Sequence, residues 1–370
     1  MKWLYGILCL FFLVLFHEIG HFIFAKICGV KVESFSIGFG PVLLHKNIKG
    51  TDWRLSLIPL GGYCGMKGEQ EFKTALEENL DEIKAEPDSL YGVHPLKRAL
   101  IAFAGPFFNF IFAFIAFSLI SGIGYTYYSY SNKIILADEL YENSSSAAKT
   151  AGLLTGDIIT EVDNKKITDF SDLIREVSLK PDQDINVKVL RNEQSIEFVI
   201  HTDMDKDDGT GKIGVAADTS NLLEKTVKAN NIFEAFANGI KDTFDVIYTT
   251  FKSIGILFKG VKIQNAVSGP ARITDMLGAT VQNGFSAGAK VGIISVLNIM
   301  ALISVSLFIM NLLPVPVLDG SIILFALIEA VFRKKIKPKI QYILQFVGLG
   351  IIAILFIIGL IGDISYFINK

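Results

Sequence analysis

The chain has 370 residues, 19% of them charged, with 35 Lys plus Arg against 37 Asp plus Glu and a formal net charge of −2. Four windows, 3–25, 100–123, 291–318 and 340–362, hold 98 residues and one formally charged side chain, Glu18, while the other 272 residues are about 26% charged, the soluble norm. That split excludes both a uniformly apolar globule and a wholly soluble enzyme, and the near-neutral balance gives no nucleic-acid footprint.

The first 31 residues read as a membrane span. Lys2 before an apolar run could suggest a signal peptide, but no small-x-small cleavage pattern follows and apolar character continues to Ala25, so the span is retained. Residues 32–98 follow, with strand character and glycine turns over 32–66, where Trp53-Arg54-Leu55-Ser56-Leu57 alternates, and an acidic helix plus loop over 69–88. A second span is expected over 99–128. The domain 129–220 mixes strands at 134–137, 157–162, 187–190, 196–200 and 212–217 with a helix at 170–178, which is a small α+β domain. Within 221–290, Phe233, Phe236, Ile240, Phe244, Ile247, Phe251, Ile254 and Phe258 recur in steps of three and four, predicting an amphipathic helix followed by a linker. That helix could lie in the membrane interface or pack on its neighbours. The third span, 291–332, is interrupted by Pro314 and Pro316 near its end, and 333–370 is a basic link plus a fourth span. About 20 apolar residues at 1.5 Å rise cross a hydrocarbon core, so each window is long enough.

Basic residues beside the span ends set the orientation. Lys26, Lys31, Lys97, Arg98, Arg333, Lys334, Lys335, Lys337 and Lys339 mark the cytoplasmic side, which puts both termini and the domain 129–220 on the other side. The cysteines Cys9, Cys28 and Cys64 show no CxxC spacing and read as apolar filler, not as a disulfide framework or a zinc ribbon.

The lone charge lies in His17-Glu18-Ile19-Gly20-His21. On a helix, positions i and i+4 share a face, so two imidazoles can hold one metal ion while the intervening carboxylate reaches a water on it. At hydrocarbon depth such a cluster costs several kcal/mol unless it is paired, metal-bound or in a wet cavity. A catalytic zinc takes three protein ligands and leaves one position open. Asp319 meets the depth requirement for the third: Glu18 is about 12 Å short of Lys26 along an inward-running helix, and the third span also runs inward. His45, His94 and His201 lie in charged or loop segments, and Asp363 is at the opposite end of its span. Capping of a helix after the Pro-x-Pro break is the alternative for Asp319. The chemistry expected is zinc-assisted peptide hydrolysis with Glu18 as general base. The peptide must be locally unwound, which gives the Gly-rich strand segment a use in holding extended backbone. Asn311 could hydrogen-bond such a backbone or bridge two helices.

These residues resemble the site-2 proteases, intramembrane zinc metalloproteases, and within them the bacterial regulator-of-sigma-E protease branch. The resemblance covers nearly the whole chain. It rests on the HExxH segment, Gly38-Phe39-Gly40-Pro41, Pro59-Leu60-Gly61-Gly62-Tyr63, Ala104-Gly105-Pro106-Phe107-Phe108-Asn109, and the run from Asn311 through Pro314-Val315-Pro316-Val317-Leu318-Asp319-Gly320. It implies a multi-span α-helical membrane protein with four main transmembrane helices, a membrane-associated β-loop and an inserted α+β PDZ domain. It also implies one Zn2+ held by His17, His21 and Asp319, Glu18 as the base, and Asn311 with Gly61 and Gly62 at the substrate. Ala151-Gly152-Leu153-Leu154-Thr155-Gly156-Asp157 resembles a PDZ carboxylate-binding loop, which puts Gly152 and Leu153 at a peptide terminus. Relatives of this branch carry two PDZ domains, and this chain has room for one. The implied partners are single-pass membrane substrates such as anti-sigma factors or remnant signal peptides, an upstream site-1-type protease, and the lipid of a bacterial cytoplasmic membrane. A membrane scaffold with a purely structural metal would not need Glu18, and a metal transporter would want ligands along the full bilayer depth.

Overall fold

The computed structural model describes residues 2–141, 146–206, 209–257 and 268–368. The chain divides into two compact units, one of Met1–Ile123, Ala229–Ile247 and Ser268–Lys370, the other of Gly124–Lys228 and Tyr248–Val267. Four helices in the described residues are long and apolar enough to cross a membrane: Lys2–Cys28, Pro95–Ile123, Ala289–Leu312 and Pro338–Ile368.

Helix α1 (Lys2–Cys28) ends where Gly29 takes φ +85°, a left-handed conformation that glycine adopts without a Cβ penalty. A long hairpin follows, β1 (Val32–Ile48) and β2 (Thr51–Met66), turned by Lys49 and Gly50, both at positive φ. It folds back on itself. Phe35 pairs with both Trp53 and Cys64, and Leu55 pairs with both Ile37 and Leu44, so the half of β2 near Cys64 becomes one edge of the sheet. Phe39, Val42, Leu43, Leu44, Leu57 and Ile58 stay exposed on this hairpin. The acidic stretch forms α2 (Glu69–Glu77) and a loop in which Lys67 is bridged to Glu86 and Asp88. Helix α3 (Pro95–Ile123) begins on a proline, whose fixed φ suits a first turn, and carries a second one at Pro106.

The second unit starts at β3 (Tyr125–Tyr130), which pairs along its length with β12 (Leu222–Val227). The expected domain 129–220 is therefore framed by a strand pair on either side of it. Residues 124–128, expected in the second span, leave the helix at Gly124, φ +72°, and enter β3. Strand β4 (Ile134–Leu136) pairs with β11 (Val215–Ala217). A four-stranded antiparallel sheet has the order β6 (Lys165–Lys166), β5 (Ile158–Val162), β7 (Asp184–Arg191), β8 (Gln194–His201). Helix α4 (Phe170–Ser178) is capped by Asp169, whose carboxylate accepts from the Asp172 N–H at 3.0 Å. The core under it is Ile134, Leu153, Ile159, Leu173, Ile185, Val187 and Ile200. The one strand expected over 212–217 is divided between β10 (Gly211–Lys212), which pairs with β9 (Asp203–Met204), and β11.

Helix α5 (Ile232–Leu257) carries the predicted amphipathic pattern; Phe236 meets Phe114, and Phe244 meets Phe110, on α3. Phe258, the last residue of that pattern, lies outside the described residues. The segment read as a linker contains a further helix, α6 (Pro270–Ser286), packed on α1 through Leu277 and Leu13. Helix α7 (Ala289–Leu312) stops at Leu312, and a separate helix α8 (Asp319–Phe332) starts at the aspartate. The expected third span 291–332 is thus two helices joined by an extended turn, because Pro314 and Pro316 supply no N–H and bias the residues before them away from the helical region. Helix α9 (Pro338–Ile368) closes the described chain.

Candidate active site

The geometry begins at the contact of α1 with α3. A Cβ on Gly20 would stand 2.4 Å from the Ala104 carbonyl oxygen, and one on Gly105 would stand 2.2 Å from His21 Nε2 and 2.7 Å from His17 Nε2. Glycine at both positions lets the two backbones approach until both imidazoles sit against α3, their planes 80° apart. Pro106 withholds the N–H that would otherwise bond the Ala102 carbonyl and opens that turn. Beside it the Ile101 carbonyl accepts from His21 Nδ1 at 2.9 Å. His21 is thereby fixed with its Nε2 lone pair free. His17 Nδ1 lies 3.1 Å from the amide of Asn109, one helical turn further along α3.

Asp319 reaches the same point from α8. Gly320 makes this possible, since a Cβ there would fall 2.3 Å from the Leu313 oxygen and 2.4 Å from the Leu312 oxygen. The loop between α7 and α8 folds tightly over that glycine. Val317 within it takes φ +86°, a costly conformation for a β-branched residue. Pro316 is set against Gly348 of α9, where a Cβ would lie 2.1 Å from its carbonyl oxygen. The helix-capping alternative for Asp319 does not hold: Leu318 is the N-cap, without a side-chain cap bond, and Asp319 is the first helical residue. Its two carboxylate oxygens lie 3.2 Å from His17 Nε2 and 3.3 Å from His21 Nε2.

The three donor groups fit a zinc ion. The two Nε2 atoms are 3.1 Å apart, and each has its own nearest Asp319 oxygen, Oδ2 at 3.2 Å from His17 and Oδ1 at 3.3 Å from His21, with one donor atom from each residue within 4.8 Å of the others. A tetrahedral ion with bonds of about 2.0 Å needs ligands roughly 3.3 Å apart. Among the described residues, this is the one group of three or more His, Cys, Asp or Glu side chains with metal-holding spacing. Both histidines are buried.

Glu18 lies on the wall of the same cavity, of about 650 Å³, together with His17, His21, Asn311, Val317 and Asp319. The edge half of β2 forms another wall. The Cys64 amide is within hydrogen-bonding reach of Glu18, and a Cβ on Gly62 would sit 3.8 Å from Glu18 Cγ. Gly61 is at φ +109°, against the ring of Phe39. The structure therefore brings together the predicted residues His17, Glu18, His21, Asp319, Asn311 and Gly62, with Gly61 adjacent in the chain. Cys64, read as filler, lines this cavity, and burial pushes its thiol up to about 12.

Gly152 and Leu153 do not belong to this group, and the expectation that their amides receive a peptide carboxylate needs correction. The Gly152 N–H donates to the Lys149 oxygen at 2.9 Å and the Leu153 N–H to the Ala148 oxygen at 2.9 Å. The Leu154 N–H donates to Asp157 at 2.9 Å, and the Leu153 side chain is fully buried in the core. This turn spends its donors on itself. Asp363, the rival carboxylate, also has a defined duty: it accepts from the Gly269 and Ala271 N–H groups at 2.9 and 3.0 Å and caps α6. The segment Ala104-Gly105-Pro106-Phe107-Phe108-Asn109 does not by itself assign a role to Gly105 or Asn109. A polar amide within an apolar span, three residues after a proline, was the available signal for Asn109.

A pair of histidines one turn apart, a carboxylate at zinc-ligand distance from both, and a glutamate in the same cavity define a metallopeptidase set among membrane-crossing helices. Comparison with known proteins places it further. The family model for "Peptidase family M50" matches residues 5–355. A protein of Treponema pallidum (strain Nichols) is 34% identical over 99% of this chain and 99% of its own length, and bears the name "Putative zinc metalloprotease". A Campylobacter jejuni protein with the same name and a locus tag is 34% identical over 100% of this chain and 95% of its own. A Borreliella burgdorferi relative, also so named, is 30% identical over 99% of each. The chain belongs to peptidase family M50, the site-2 protease family, and is a membrane zinc metallopeptidase with Zn2+ as its cofactor.

Proposed function

We propose that this chain is an intramembrane protease of the regulator-of-sigma-E branch. It hydrolyses peptide bonds within or near the transmembrane segment of single-pass membrane proteins, anti-sigma-factor-like substrates or remnant signal peptides. It acts as the second cut, after an upstream site-1-type protease. One observation carries this reading: a three-donor face of zinc dimensions and Glu18 share a cavity walled by α1, a helix apolar enough to cross a bilayer, and by an open sheet edge.

In this reading His17, His21 and Asp319 hold one zinc, which when bound acts as a Lewis acid and acidifies its water. Glu18 takes the attacking water's proton on its carboxylate and passes it to the leaving nitrogen. The edge of β2 at Gly61 and Gly62 receives substrate backbone in extended form, as a strand adds to a sheet. Asn311, which lines the same cavity, hydrogen-bonds that backbone. The basic residues at the span ends favour a site near the cytoplasmic leaflet of a bacterial inner membrane, with both termini and the domain 129–220 on the other side. That domain is read as a single PDZ module whose use of peptides does not run through the Gly152 and Leu153 amides.

Cleavage of a single-span reporter in liposomes tests the assignment. Glu18→Gln is expected to keep about one zinc per chain and to lose at least about a hundredfold in rate. A Glu18→Gln protein that cleaves at the wild-type rate would remove the proposed base.

A further inference from the structure

We infer that Asn109 is a positioning residue for the metal centre, holding His17 through its distal ring nitrogen. The inference rests on the zinc-site reading above. A histidine that gives Nε2 to a metal carries its proton on Nδ1, and that N–H is nearly always donated to an acceptor, which fixes tautomer and ring plane. His21 has such an acceptor in the Ile101 carbonyl. For His17 the neighbour at Nδ1 is the Asn109 amide, placed with its Nδ2 3.1 Å away.

Asn109 is fully buried on α3, and its Oδ1 is a buried oxygen with no hydrogen-bond partner among the described residues. A buried amide with one atom unpartnered leaves its orientation to be set by the atom it does face. The amide nitrogen and oxygen exchange places by a half-turn about the last side-chain torsion. The half-turn adds no orphan; it only exchanges which amide atom lacks a partner. With Nε2 committed to a metal, Nδ1 must donate, and Oδ1 is the amide atom that can accept.

The backbone is pinned to serve this contact. The Asn109 carbonyl accepts from Ser304 Oγ of α7 at 2.9 Å, and Ser304 is itself fully buried. Four residues back, Gly105 touches both imidazoles. The same turns of α3 thus supply the surface on which the rings lie and the acceptors for both distal nitrogens. His17 takes a side-chain acceptor and His21 a main-chain one. Only the first of these can be altered by substitution.

The test is zinc affinity by chelator competition on the full-length protein in detergent, with apo-protein thermal stability measured alongside. Asn109→Ala is expected to bind zinc about ten- to a hundredfold more weakly. Asn109→Asp keeps an acceptor of the same shape and is expected to bind at least as tightly as the wild type. His17→Ala separates the two levels of the reading: if it binds zinc like the wild type, the zinc site itself is misassigned. If His17→Ala loses zinc while Asn109→Ala stays within twofold of the wild type, the Asn109 inference alone is overturned. Should Asn109→Ala not fold, Asn109→Asp decides, because weaker binding with intact apo stability contradicts an acceptor role.

Discussion

Gly105 shows how little room a single atom has at this site. Its missing Cβ is the space occupied by His21 Nε2 and His17 Nε2, both under 3 Å from where that carbon would lie. Gly105→Ala must displace two ligands at once, and a metal site tolerates only about half an ångström of misplacement. Zinc affinity is expected to fall about tenfold or more, read by the same chelator competition. Unchanged affinity would mean that α1 and α3 can slide apart freely, contrary to the Gly20–Ala104 contact. At this scale, part of the site was legible in the sequence. Glu18 and the two histidines stand out because charge and imidazole are costly in hydrocarbon, and Asp319 because it follows a proline break at matching depth. Gly105 is not legible as a site residue, and Asn109 is legible only as an amide in an apolar span without an assigned partner. Their importance lies in the faces they turn toward α1, and that is a property of helix packing.

Among the elements, the four apolar helices and the folded hairpin follow from hydropathy and glycine placement, whereas α6 does not. Its sequence carries Thr274, Asp275, Gly278, Thr280, Gln282 and Asn283, so it reads as a linker. What buries it is tertiary. Asp275 pairs with Lys2 at 2.6 Å and accepts from the Tyr366 hydroxyl, Gly278 lets the Lys2 backbone approach, and Asp363 caps its N-terminus from α9. Asp363→Ala takes the acceptor from one buried N–H, that of Gly269, and one part-buried N–H, that of Ala271, and is expected to cost about 1–3 kcal/mol. It should lower the thermal midpoint in detergent while zinc affinity stays at the wild-type value. Loss of zinc on this substitution would return Asp363 to the list of possible ligands and weaken the case for Asp319. Carboxylates with different duties thus look alike in sequence. Only the atoms they face separate a cap from a ligand.

On the scale of the whole molecule, both units use carboxylates at turns and caps. The membrane unit sets Asp275, Glu329 and Asp363 among apolar helices and close glycine contacts. The second unit sets Asp157, Asp163 and Asp169 at its turns and caps. For Asp157, burial raises the pKa, but the Arg191 guanidinium and the Leu154 amide outweigh burial, so the group sits below the ordinary carboxylate value. Asp169 is lowered in the same way by Lys225 and the Asp172 amide against burial, and Asp163 by Lys180 and the Asn186 amide. A carboxyl whose folded pKa is depressed contributes stability that is fully present above its unfolded value, near about 4, and is lost as pH falls through the folded value. Hydrogen exchange on the full-length protein, corrected for intrinsic rates, should therefore show protection over 158–200 holding from pH 7 to about 5 and declining below about 4. Arg191→Met removes one of the stabilising partners, so its protection should be lower at pH 7 and fall less steeply toward acid. Equal acid slopes in Arg191→Met and wild type would show that the Asp157 pair does not carry this dependence. The unit would then owe its acid sensitivity to the other carboxylates held low, Asp163, Asp169 and Asp218.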